Sequence, residues 1–263
     1  MLVRAYKVPI TWQNIEEQDT SFEKRQASLY KDEISHFKRM SELYISLFSN
    51  SKRINRATGK PDYIQLIAIR IFQDSRGAFI LAMKGLYPQA ESLLRGVLES
   101  INLIYDFIAS PTHEDLWFNA SISKREKLFK ASEVRKRVES SKITNLEPSK
   151  GLYSLLSNFS IHTNMESHLW YMETRDKKLF YHWAGHGEGR CSEALMFSVL
   201  SALAQGLFVL TYEGAYALDR RWGDDFDKWK GEYLIFVKKF GKIFGDESVE
   251  KLVLKKDIKI YGY

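Results

Sequence analysis

Apolar residues recur three and four positions apart through most of this chain, and stretches of strict alternation are few. From Asp62 to about Lys84 they almost surround a helical axis (Ile64, Leu66, Ile67, Ile69, Ile71, Phe72, Phe79, Ile80, Leu81), which predicts a central helix. Gly85 can end it, and Pro88 suits the first turn of a following helix over Gln89 to about Ala109. In that helix positions 90, 93, 97, 101, 104 and 108 form one buried stripe. Upstream, Thr20-Ser21-Phe22-Glu23 has capping-box spacing and predicts a helix running to about Asn50. Residues 1–19, with Pro9, alternate weakly and read as an extended arm, and the basic stretch 51–60 before Pro61 reads as a loop.

Downstream, Pro111-Thr112 separates off a long helix from about Glu114, with Thr112 as its expected cap. Pro148 and Gly151 break the pattern before a short helix from Leu152 that ends near His162. Residues 165–190 differ in kind. Two aromatic runs, His168–Met172 and Leu179–Trp183, flank the polar Thr174–Lys177, the pattern of a small hairpin, and Gly185, Gly187 and Gly189 then make a loop. Helical patterns resume over 192–221, from about Asp225 to Phe244, and after Asp246. The expected fold is therefore all-α: one antiparallel bundle of six to seven helices over 20–263, with a small aromatic hairpin or loop insertion at about 165–190.

Composition narrows the class. With 263 residues, 44% of them hydrophobic and 27% charged, the chain is globular and long enough for a substantial core. Cys191 is the single cysteine, so no intrachain disulfide forms, which fits a reducing compartment, and the first residues lack the apolar run of a signal peptide. A cytoplasmic protein is expected. Ala194–Tyr212 is uncharged and about as long as a membrane span, but Ser198, Ser201, Gln205 and Thr211 interrupt it, so a buried bundle helix and no membrane partner are expected.

Charge is concentrated. Of the net +6, residues 124–150 supply an excess of five, nine cations against four glutamates. Lys124, Arg125, Arg135 and Arg137 are the candidate phosphate ligands there; a solvated helix surface with offsetting Glu/Lys pairs is the plainer alternative. On the 89–109 helix, Glu91, Arg95, Glu99, Asn102 and Asp106 share a narrow arc away from the apolar stripe. They are either a solvated stripe or, if a neighbouring segment covers them, a site in which Arg95 binds an anion and Glu99 is its partner. His162, at a helix end, either caps the last carbonyls or moves protons, with Ser157 and Asn164 beside it as candidate substrate contacts. His162, His168, His182, His186 and Cys191 lie close in sequence, but the glycines at 185, 187 and 189 oppose a helical His-x-x-x-His pair, and no metal or other cofactor is expected.

Leu93-Leu94-Arg95-x-x-Leu98-Glu99, followed after a long helix by Tyr153-x-x-Leu156-Ser157-x-x-x-x-His162, resembles uncharacterised bacterial helical families related to the HEPN superfamily (higher eukaryotes and prokaryotes nucleotide-binding). The resemblance spans about residues 61–220. It implies a dimerising bundle that binds RNA, in many cases a metal-independent ribonuclease of defence or toxin systems, in which Arg95, Glu99 and His162, read above from their own chemistry, would be the candidate catalytic residues in place of the superfamily's signature. The superfamily's arginine, four to six residues, then histidine occurs here only as Arg175 to His182, inside the expected hairpin and off the bundle helices. The alternative is a non-catalytic homodimeric interaction or scaffold protein, with Trp170, Tyr171, Phe180, Tyr181 and Trp183 as its partner-binding insertion.

Overall fold

A computed structural model describes residues 11–49, 63–141, 172–175 and 178–181, with single helical positions at 228, 231, 232 and 235. The described residues build an all-α bundle. In chain order the helices are α1 (Trp12–Leu29), α2 (Lys31–Ser49), α3 (Tyr63–Met83), α4 (Tyr87–Ala109), α5 (Thr112–Asn119), α6 (Ile122–Leu128) and α7 (Ala131–Ser141). Strands β1 (Met172–Arg175) and β2 (Lys178–Tyr181) pair antiparallel, with Arg175 opposite Lys178 and Met172 opposite Tyr181. The aromatic hairpin is thus present in the backbone, and Arg175 ends a strand, not a helix.

The N-terminal expectation is corrected in two places. Helix begins at Trp12, so residues 12–19 are not an extended arm; the first ten residues lie outside the described set. The helix is opened by Thr11, whose Oγ1 accepts from the Asn14 amide at 3.2 Å while Asn14 Oδ1 accepts from the Thr11 amide at 3.1 Å. That reciprocal pair satisfies orphan amides at the true start, and Thr20 lies inside the helix. Tyr30 then leaves helical dihedrals (φ −117°, ψ 35°) and packs its ring on the core, splitting the expected single helix into α1 and α2.

Helices α3 and α4 form an antiparallel hairpin. Gly85, at φ 76°, makes the turn between them, and Pro88 stands in the first turn of α4. The two helices approach closely where glycines allow it. A Cβ on Gly77 would come within 2.8 Å of Leu93 Cδ1, and one on Gly96 within 3.1 Å of Asp74 Oδ2. Two apolar clusters lie against this hairpin. The larger joins Phe37, Met40 and Tyr44 of α2 with Ile64, Ile67 and Ile71 of α3, Val97, Ile101, Ile104 and Phe107 of α4, and Val134 and Val138 of α7. The smaller places Phe22 of α1 on Ala78, Ala82, Tyr87, Ala90, Leu94 and Leu98. Phe37 stacks on Phe79 at 4.4 Å, and the buried Tyr44 hydroxyl donates to the Ala68 carbonyl at 3.0 Å, fixing α2 against α3.

The more deeply buried of the two helices is α4, not α3. α3 leaves Leu66, Ile69 and Ile80 exposed, whereas Glu91, Asn102 and Asp106 of the α4 polar arc are buried together with its apolar stripe. The long basic helix expected from Glu114 is also corrected. It is three short helices, with Thr112 inside the first of them and Pro111 at its cap position. Ser121 starts α6 by accepting from the Lys124 amide, and the Phe129 ring, at the α6–α7 junction, packs edge-on against Phe107 at 6.3 Å. Burying that ring turns the chain where no proline or glycine stands.

Candidate functional site

Asp106 lies near the C-terminal end of α4, 1% exposed, and needs partners for its charge. Arg137 of α7 provides two. Its Nε donates to Oδ1 at 2.7 Å and its Nη2 to Oδ2 at 2.8 Å, a bidentate pair. Its Nη1 donates to the Leu128 carbonyl at 2.7 Å, satisfying the end of α6, and the guanidinium lies 5.5 Å over the Phe129 ring. The Asp106 carboxylate in turn holds Arg137 above its ordinary pKa, against the opposing effect of burial.

A third partner is an imidazole. His113 Nδ1 is 3.1 Å from Asp106 Oδ2 and the side chain is 26% exposed. Its ring meets Phe129 edge-on at 6.0 Å. The chain returns there because Pro111 ends the run of α4, with the His113 amide bonded to the Ser110 carbonyl at 2.8 Å. With Nδ1 directed at a carboxylate, Nε2 is the nitrogen left for an outside group. A carboxylate-oriented imidazole can accept or deliver a proton.

Around this pair the basic surface of α6 and α7 sorts into two kinds of cation. Lys124, Lys127, Lys130 and Lys136 are exposed. Lys136 holds Glu133 at 2.9 Å, and that contact lowers the Glu133 pKa. Arg125 turns back to donate to the Ala120 carbonyl at 3.0 Å, and Arg135 is half-buried. Arg137, expected among the phosphate ligands, is committed inward to Asp106 instead.

Arg95 and Glu99 do pair, Nε to Oε1 at 3.0 Å, on a partly covered face of α4. Across the seam with α3, Arg70 holds Asp74 at 3.4 Å beside Gly96. Burial raises the Asp74 pKa, with Arg70 working against it. Eleven residues separate Arg95 from Asp106, about 16 Å along the helix, so the two clusters are distinct. The solvated-stripe alternative fails for three members of the arc. Asp106 is covered by α5 and α7, and Glu91 is buried with its Oε2 making no hydrogen bond, which pushes its pKa up to about 8. His162, Ser157, Asn164 and the aromatic side chains of the insertion lie outside the described residues, as do His182, His186, Cys191 and the 194–212 segment.

His113 carried no motif in the sequence. The one signal available was Asp106, seven positions earlier and followed by a helix-breaking proline. Among the described residues no three metal-ligating side chains converge, and no helix is long and apolar enough to cross a membrane. Comparison with protein-family models, curated proteins and solved structures gave no significant match.

Proposed function

We propose that this chain is an RNA-binding protein that cleaves RNA without a metal, using the basic surface of α6 and α7 to hold phosphates and His113 to move protons. The observation that carries the reading is the buried Asp106 aiming a partly exposed imidazole beside the α6–α7 junction, where Lys130 adjoins the Phe129 ring that His113 touches. The resemblance to HEPN-related families supports the same activity class but not this residue. In the step proposed, His113 Nε2 takes the proton of a ribose 2′-hydroxyl, and the 2′-oxygen bonds to the adjacent phosphorus. The phosphorus to 5′-oxygen bond breaks, and the imidazolium returns its proton to the leaving 5′-oxygen. Exposed lysines offset the charge gathering on the phosphoryl oxygens.

The test is cleavage and binding of structured and unstructured RNA in EDTA. His113→Ala is expected to cleave about 100-fold slower or worse while binding RNA as the wild type does. Lys124→Glu/Lys127→Glu/Lys130→Glu is expected to lose binding, with a shallower dependence of affinity on salt. If the wild type binds RNA and cuts none of it, cleavage is lost and binding stands; if it binds none, the whole reading falls.

A further inference from the structure

The outer face of α3 is unusual for a helix packed into a bundle. Leu66, Ile69 and Ile80 are 53%, 49% and 39% exposed, and Arg70, Gln73 and Arg76 are exposed between them. At 100° per residue these six positions fall in an arc of about 120°, running about 21 Å along the helix. Arg70 reaches toward the α4 side to hold Asp74, and Arg76 has no hydrogen-bond or ion-pair partner among the described residues. The stripe is therefore apolar at both ends and cationic in the middle, on a helix whose opposite side is locked into the core through Ile64, Ile67, Ala68 and Ile71.

From this pattern we infer that the outer face of α3 is a docking surface for an acidic amphipathic helix of another protein, independently of any action on RNA. Charge decides the occupant. A second copy laid antiparallel on this face about Gln73 sets Arg70 against the copy's Arg76, and a parallel copy sets Arg76 against Arg76; both arrangements bring like charges together. A helix with apolar residues near Leu66/Ile69 and near Ile80, and carboxylates between them, buries the three aliphatic side chains and gives Arg76 the partner it lacks. The face is already helical and braced from behind, so little ordering accompanies binding. Nucleic acid would leave the aliphatic ends uncovered.

A synthetic fluorescein-labelled helical peptide of five turns, with leucines at both ends of one face and two glutamates between, is the probe. In anisotropy titrations of the full chain it is expected to bind, and Arg76→Glu or Ile69→Ser is expected to weaken binding about tenfold or more. Ile122→Ser, on exposed α6, is expected to leave it unchanged. A peptide with lysines for the glutamates is expected to prefer the Arg76→Glu protein over the wild type. The inference is overturned if Arg76→Glu and wild type bind the acidic peptide equally, or if the peptide does not bind. It is equally overturned if Ile69→Ser instead abolishes self-association in sedimentation velocity, or abolishes binding to vesicles containing phosphatidylserine.

Discussion

Replacing Glu91 by glutamine is expected to change how stability depends on pH. Glu91 is 2% exposed, its Oε2 has no hydrogen bond, and burial lifts its pKa from an ordinary 4.5 to about 8. In the folded chain the proton is held; in the unfolded chain it leaves near the ordinary value. Below pH 4.5 both states are protonated and the neutral side chain's contribution is fully present. As pH rises the unfolded state ionises first, and stability falls until the folded group also ionises near 8. At about 1.4 kcal/mol per unit, the loss is about 3 kcal/mol at pH 7 and levels off at about 5 kcal/mol above pH 8. Glutamine keeps the shape and removes the titration. Urea unfolding followed by circular dichroism between pH 5 and 9 is expected to show the wild type losing ground to Glu91→Gln by about 1.4 kcal/mol per pH unit up to pH 8. The unpaired amide of glutamine adds an offset that does not vary with pH. Parallel profiles for the two proteins would refute the reasoning, because they would mean that Glu91 ionises in the fold as it does in water.

Three further outcomes follow from the same structure. Arg137→Ala leaves the Asp106 carboxylate buried with only His113 beside it, and is expected to cost about 3–5 kcal/mol in urea unfolding, more than Arg137→Lys, which keeps a cation there. Gly85→Ala forces a side chain into a left-handed turn and is expected to lower stability by about 1 kcal/mol, read as an earlier thermal transition. Tyr44→Phe removes the buried hydrogen bond to the Ala68 carbonyl and is expected to cost about 1 kcal/mol without loss of helix by circular dichroism.

The α3–α4 hairpin was legible in the sequence because its signals are local. Gly85 and Pro88 mark the turn, and the three-four rhythm marks the faces. The start of α1 was misplaced because Thr20-x-x-Glu23 fits a capping box and a helix interior equally well, while the functioning cap used Asn14 in place of an acid. The breaks within 112–141 have no glycine or proline to announce them. They arise where Phe129 and Arg137 reach partners on α4, contacts that exist only in the folded chain. The two readings of the α4 polar arc stayed open in the sequence for the same reason. Polar residues opposite an apolar stripe face water when a helix is peripheral, whereas α4 is covered at Glu91, Asn102 and Asp106. Asp106 finds Arg137 across 31 positions of chain, a pairing that periodicity cannot encode. The Arg95–Glu99 pair was legible because its two members stand one helical turn apart.

α5, α6 and α7 contain 8, 7 and 11 residues, lengths at which a helix in water is mostly unwound. Their order comes from contacts with α4, the Asp106 pairs with Arg137 and His113 and the packing of Val134 and Val138 among them, so they are expected to open together as one unit. Amide hydrogens along all three are then expected to exchange by one shared opening. A ligand gripping only the lysines of α6 is then expected to slow exchange as far away as Val138.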